Sequence, residues 1–199
     1  MGPPAGSTGR AWPGEADRYD HRMTDPSVPQ PVLTERLELR AVGPADLAAL
    51  YAITSDSATW RHDPEGRHTA PGVTARWIER CTAHRESTGV SYWMARLRSS
   101  GTVVGVGGAQ RQNPGFWNLY YRLAPAHWGN GYATELCRAA IRTAVRQDPD
   151  LPVVAWIHAH NTASRAVAAR LGLRDLGLRP EPWKRQPMHA YADRELTFG

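Results

Sequence analysis

A chain of 199 residues holds one ordinary domain and a tail, and is too short for two full-sized domains. With 41% apolar and 22% charged residues the composition is that of a folded protein, and no apolar run approaches the ~20 residues that cross a bilayer, which excludes an integral membrane protein. The formal charge of +5 is carried by arginine, with Lys184 the only lysine; the arginines are dispersed and no aromatic platform is interleaved with them, which speaks against a nucleic-acid partner.

Residues 1–31 contain ten Gly or Pro and few apolar side chains, so burial there cannot offset the entropy of ordering, and they read as a disordered tail. Arg10, Arg18 and Arg22 face Glu15, Asp17, Asp20 and Asp25, so the excess positive charge belongs to the rest of the chain. The start carries no basic, apolar leader, and Gly6 stands where a myristoylation signal needs Ser or Thr. A cytoplasmic protein with no membrane partner is expected, its domain spanning 32–199. Cys81 and Cys137 share no metal-ligand spacing and read as reduced packing residues; no metal is expected.

From Val32 the texture changes. Leu37, Leu39 and Ala41 alternate with Glu38 and Arg40 as in a strand with one wet face, and Gly43-Pro44 ends it. Asp46 with Leu47, Leu50 and Tyr51 marks a short amphipathic helix. The polar stretch from Asp56 to Gly72, holding Trp60, His62, Asp63, Glu65 and His68, reads as an irregular loop. Val73, Trp77 and Cys81 recur at four-residue steps in a helix closing near Gly89. Val90 to Leu97, Thr102 to Gln110 and Phe116 to Leu123 read as strands, and the turn signals Ser99-Ser100-Gly101 and Asn113-Pro114-Gly115 join them as an antiparallel meander. A helix with Tyr132, Leu136 and Ala140 on one face runs from about Gly131 to Gln147. Leu151 to His158 reads as a strand buried on both faces. Asn161 opens a last helix that closes at Gly172, and strands Leu173 to Leu178 and His189 to Phe198 flank a 180–187 loop. The sum is a mixed α/β (α+β) sheet domain.

The stretch from Tyr121 to Glu135 carries the chemistry. A strand ends at Leu123, Pro125 breaks it, Gly129 and Gly131 permit close backbone approach, and a helix starts with unpaired amides. Those N–H groups and the positive end of the helix dipole suit a pyrophosphate without any lysine. A tight turn opening a helix would look the same, and neither a Walker sequence nor a dinucleotide fingerprint is present.

Tyr121, Leu123, Pro125, Gly131 and Ala133 nevertheless fall in register with the acetyl-CoA-binding motif of the GNAT superfamily of N-acetyltransferases, which this stretch resembles. Trp128 stands where that motif has Gln or Arg. With Gly129-Asn130-Gly131-Tyr132-Ala133-Thr134-Glu135, this looks like the RimJ/RimL branch, which acetylates ribosomal protein N-termini. Asn161-Thr162-Ala163-Ser164 followed by Arg170-Leu171-Gly172-Leu173 is similar to the family's Asn-x-x-Ser helix and turn, and Leu33 to Arg40 to its first strand, so the resemblance spans about 32–198.

The resemblance implies a GNAT fold: a twisted, mostly antiparallel sheet of six to seven strands, splayed between strands four and five, with about four helices. It implies acetyl-CoA as co-substrate, its pantetheine against the strand backbone at Leu123, and its pyrophosphate on the main chain of Trp128, Gly129, Asn130, Gly131, Tyr132, Ala133 and Thr134. Asn161 is at once a favoured N-cap and a pantetheine ligand. Ser164 is the candidate to serve the departing thiolate. Many members carry a tyrosine four residues later, where this chain has Ala168. Glu135 reads as a carboxylate stabilising a helix start.

Direct transfer requires a neutral amine. At pH 7 deprotonation costs about 1.1 kcal/mol for an α-amine of pKa ~7.8 and about 4.6 kcal/mol for a lysine of pKa ~10.4. No strong base stands out among His62, Glu65, His68, His158, His160 and Glu181, which favours a protein N-terminus or a low-pKa small amine as acceptor. The expected activity is acetyl-CoA-dependent N-acetyl transfer without an acyl-enzyme; the alternative is a non-catalytic acyl-CoA sensor. A homodimer fits the family.

Overall fold

The computed structural model describes residues 30–113 and 115–196; most of the 1–31 tail expectation and the last residues of the expected final strand lie outside them. Eight strands form one sheet: β1 (Val32–Leu33), β2 (Leu37–Ala41), β3 (Tyr92–Leu97), β4 (Val103–Gln112), β5 (Phe116–Leu123), β6 (Val153–Ile157), β7 (Arg174–Pro180) and β8 (Pro187–Ala192). Their spatial order is β1-β2-β3-β4-β5-β6-β8-β7. Four helices accompany them: α1 (Leu47–Thr54), α2 (Pro71–Thr88), α3 (Tyr132–Gln147) and α4 (Thr162–Arg170).

The order of helices and strands follows the sequence periodicities, with one correction. The sheet has eight strands rather than six or seven, because Val32–Leu33 pairs antiparallel with β2 through Val32↔Leu39 and Leu33↔Glu38. Two residues are too short to show a period. The final strand starts at Pro187, two residues before the expected His189, and ends at Ala192. The 56–72 loop contains 3-10 turns at Ser57–Trp60 and Pro64–Gly66.

The sheet divides the core in two. Leu119 and Tyr121 face α3 and α4 with Leu136, Cys137, Ala140 and Ala168. Tyr92, Met94, Val106 and Tyr120 face α1 and α2 with Leu50, Trp77 and Ile78. Close approach on the first face requires Gly107, where a Cβ would lie 2.8 Å from Leu136 Cδ2. Among the described residues no helix is long and apolar enough to cross a membrane.

One contact in this sheet positions the site. β5 and β6 are its parallel pair, and they register only at Trp117↔Val153 and Asn118↔Val154. Beyond Asn118 the strands part, and β5 continues unpaired on that side to Leu123. The shortness of β1 explains why the expected split between strands four and five falls between β5 and β6 in chain order.

Candidate active site

The parted strands open a cleft of about 1500 Å3. Its lining brings together Leu123, Trp128, Gly129, Gly131, Tyr132, Ala133, Thr134, Asn161 and Ser164, which the sequence placed on three separate elements. Asn130 is outside the lining: its carbonyl accepts from Arg36 Nη1 at 2.9 Å, and its Nδ2 donates to the Trp128 carbonyl at 3.0 Å.

Gly131 is the N-cap of α3 at φ +79°, a left-handed conformation that side chains strain against. It turns the chain into the helix. Among the described residues, no main-chain N–H from Gly129 through Thr134 has a hydrogen-bond partner; the first bonded amides on either side are Trp128 to Pro125 at 3.1 Å and Glu135 to Gly131 at 3.1 Å. Six unpartnered donors at the positive end of a sixteen-residue helix make a candidate anion cradle, of a chemistry that suits a diphosphate.

The side chains around the cradle have other tasks. Trp128 donates its indole N–H to the Leu123 carbonyl at 2.9 Å, folding the loop back on the end of β5, and Arg61 lies over its ring at 5.1 Å. Glu135 accepts from the Thr34 hydroxyl at 2.6 Å and from the Arg36 main chain and Nε at 2.7 and 2.8 Å. Burial alone would raise its pKa; the hydrogen bonds from Thr34 and Arg36, and the arginine's charge, outweigh it and hold the carboxylate below its ordinary range. Glu135 is thus a clamp between α3 and the β1–β2 turn, a role only its long-range partner reveals.

At the other wall, Asn161 Oδ1 accepts from the Ser164 amide at 3.1 Å, so it caps α4. Among the described residues its Nδ2 has no partner and remains a donor at the cleft. Ala168 is buried in the core, and the phenol beside Ser164 comes instead from Tyr121 on β5. Burial pushes the Tyr121 phenol up, the Cys137 thiol adds to this, and the Ser164 hydroxyl opposes it. That approach falls short of hydrogen-bond geometry, leaving the Tyr121 hydroxyl buried and unsatisfied. The sequence reading missed this hydroxyl because position 121 reads as an inward apolar site.

The candidate bases sort by environment. Glu181 is 3% exposed and accepts from the amides of Trp183, Lys184 and Gln186 at 2.6, 2.6 and 3.3 Å, so it anchors the β7–β8 loop. His68 is buried with Nδ1 2.9 Å from Thr74 Oγ1. His62 and His158 line the cleft, and the His160 ring neighbours both, with centroids 5.0 Å from His62 and 5.3 Å from His158. Burial, then Arg61 and the two neighbouring imidazoles, lower the His62 pKa from its ordinary value. Both cysteines are free and buried; burial pushes Cys81 up to about 12 against the pull of Gln110 and Arg80, and raises Cys137 further. Such thiols are poor nucleophiles. Among the described residues no group of three or more His, Cys, Asp or Glu is placed to hold a metal ion.

Residues 36–174 match the family model described as an acetyltransferase (GNAT) domain. A curated relative, the uncharacterized protein YkkB of Bacillus subtilis strain 168, is 28% identical over 150 residues, covering 71% of this chain and 84% of that one. Among solved structures, an acetyltransferase from Agrobacterium tumefaciens superposes with a TM-score of 0.69 at 24% identity, covering 90% of this chain and all of that one. RimL, a ribosomal L7/L12 α-N-protein acetyltransferase in complex with coenzyme A, superposes with a TM-score of 0.67 at 18% identity over 80% of this chain and 94% of that one.

Proposed function

The chain belongs to the GNAT acetyltransferase family, and from that premise we propose that it moves an acetyl group from acetyl-CoA directly onto a primary amine, foremost the α-amine of a protein N-terminus in the manner of the RimJ/RimL branch, and otherwise that of a small molecule. The observation that carries this reading is the run of six unpaired amides from Gly129 to Thr134 beside the parted β5 and β6.

Acetyl-CoA supplies an activated thioester. The amides from Gly129 to Thr134 bind its diphosphate, and the free Nδ2 of Asn161 donates to the arm that enters between the strands. The Leu123 carbonyl already accepts from Trp128, so the arm is met by the open edge of β5 between Asn118 and that residue. Ser164 donates its hydroxyl to the sulfur as the C–S bond breaks. The amine attacks the thioester carbon as the neutral species; its proton leaves through the imidazoles of His62, His158 and His160. No acyl-enzyme forms, since neither buried thiol has an activating partner.

Titration calorimetry with acetyl-CoA, followed by a thiol-release assay against peptides with free α-amines and small amines, tests the reading. Binding with thiol release for at least one acceptor is expected. No heat at millimolar acetyl-CoA overturns it. Tight binding with no release for any acceptor leaves the non-catalytic acyl-CoA module, the reading that Ala168 in place of a helix tyrosine favours.

A further inference from the structure

A second cavity of about 290 Å3 opens on the α2 face of the sheet. It shares Trp77, Arg80, Asn118 and Trp183 with the main cleft, so the two are continuous. Asn118 is also the last β5 residue in register with β6. The shared wall therefore stands where the strands part.

Trp77 and Tyr92 give this cavity an aromatic floor, with Tyr120 next to it. Trp77 stacks on Tyr92 with centroids 5.6 Å apart and planes 14° apart, and Tyr92 lies 5.1 Å from Tyr120. Asn118 Nδ2 donates to the Tyr92 hydroxyl at 3.2 Å, which fixes that ring. Trp183, 53% exposed, stands at the cavity edge on the loop anchored by Glu181. A slot of this kind takes a planar apolar group.

Among its lining residues Arg80 alone is charged. Arg80 and the amides of Gln110, Gln112 and Asn118 line it, with no carboxylate. Among the described residues Arg80 has no ion pair or hydrogen bond. Where the main cleft adjoins this cavity, both carboxylates are engaged: Asp63 pairs with Lys184 at 3.5 Å, and Glu181 is taken by main-chain amides. Glu35 lies at the opposite end, in the turn with Arg36. A polycationic amine would meet Arg80 and find no unpaired carboxylate, an arrangement that selects against it.

Resting on the acetyl-transfer reading, we propose that the acceptor's primary amine is joined to an aromatic group, which seats against Trp77 and Trp183, and to a carboxylate, which Arg80 holds. Arg80 is then a specificity-determining residue, and polycationic amines are excluded.

Kinetics with the full-length protein test this. Peptides that share an N-terminal alanine and a phenylalanine in second place carry aspartate, asparagine or lysine in third; free phenylalanine, its amide and an aminoglycoside form the small-molecule arm. In at least one of the two arms, kcat/KM for the carboxylate member exceeds that for its amide partner by about tenfold or more, and Arg80→Glu abolishes or inverts that ratio, whereas Arg80→Lys retains most of it; no such preference in either arm overturns the proposal. Quenching of tryptophan fluorescence in CoA-saturated protein gives the same ratio as dissociation constants, without turnover. A ratio unchanged by Arg80→Glu, a preference for the lysine peptide or the aminoglycoside, or no quenching by any acceptor overturns the proposal. Failure of acetyl-CoA itself to bind is a different result, and removes the acetyl-transfer reading beneath it.

Discussion

Arg36 and Glu135, 99 residues apart in sequence, meet at 2.7 Å at the mouth of the anion cradle. The same guanidinium donates from Nη1 to the Asn130 carbonyl at 2.9 Å and lies 4.8 Å from the centre of the Tyr132 ring. One arginine thus ties the turn before β2 to both sides of the Gly131 bend. Glu135→Gln keeps the shape and removes the charge, and charge-assisted bonds of this kind contribute about 2 kcal/mol. Thermal unfolding should move down by several degrees, and calorimetry should show acetyl-CoA bound several-fold more weakly because the cradle is less fixed. Unchanged values for both would make the clamp inert.

Gly131→Val places a branched side chain at φ +79°, where even a Cβ would come 3.4 Å from Arg36 Nη2. Strain at one such position costs about 1–3 kcal/mol, and the displaced amides lose their aim. The expected result is a loss of acetyl-CoA affinity of about tenfold or more, with far-ultraviolet circular dichroism unchanged. Wild-type affinity in a folded variant would mean the diphosphate is held elsewhere.

Ser164→Ala should lower kcat by about 100-fold or more with little change in cofactor affinity. Tyr121→Phe removes a buried hydroxyl whose neighbour is Ser164, so it should lower kcat less, and add nothing in the double variant. Losses that multiply in the double variant would show two independent roles.

His68 carries a pH dependence of known sign. Burial, then the charges of Arg122 and Arg80, lower its pKa from the ordinary 6.5. The unfolded ring takes a proton near that value while the folded ring resists, so its contribution is complete above pH ~6.5 and is lost as pH falls toward the folded pKa. Urea unfolding between about pH 5.5 and pH 7.5 should show a shallower pH dependence in His68→Gln than in the wild type, with the remainder carried by His62 and His84, which shift the same way. Equal dependences would remove His68 from the balance.

Much of the fold was legible because it is written locally. The alternation of Leu37 and Leu39 and the apolar run from Val153 each report which face of an element is buried, whereas the four-residue steps of Val73, Trp77 and Cys81 mark the helix but miss its buried line by one position, since Thr74, Ile78 and Cys81 are the buried residues. The β1 pairing was illegible because two residues carry no period. In the site, the run of unpaired amides from Gly129 to Thr134 was readable since its donors are consecutive. Trp77 and Tyr92 looked like ordinary helix and strand core positions, and nothing in the sequence tells that they stack beneath an open cavity.

What the sequence by itself determined was the kind of molecule: the succession of helices and strands, and a loop of main-chain donors at a helix start, both set by short-range sterics and periodicity. The tertiary structure alone decided which distant groups meet. Arg36 reaches Glu135, Tyr121 lies beside Ser164, and Arg80 borders the split between β5 and β6 because sheet order and helix packing bring them there. Contacts of that kind depend on where whole elements lie in space, and no window of neighbouring residues records them.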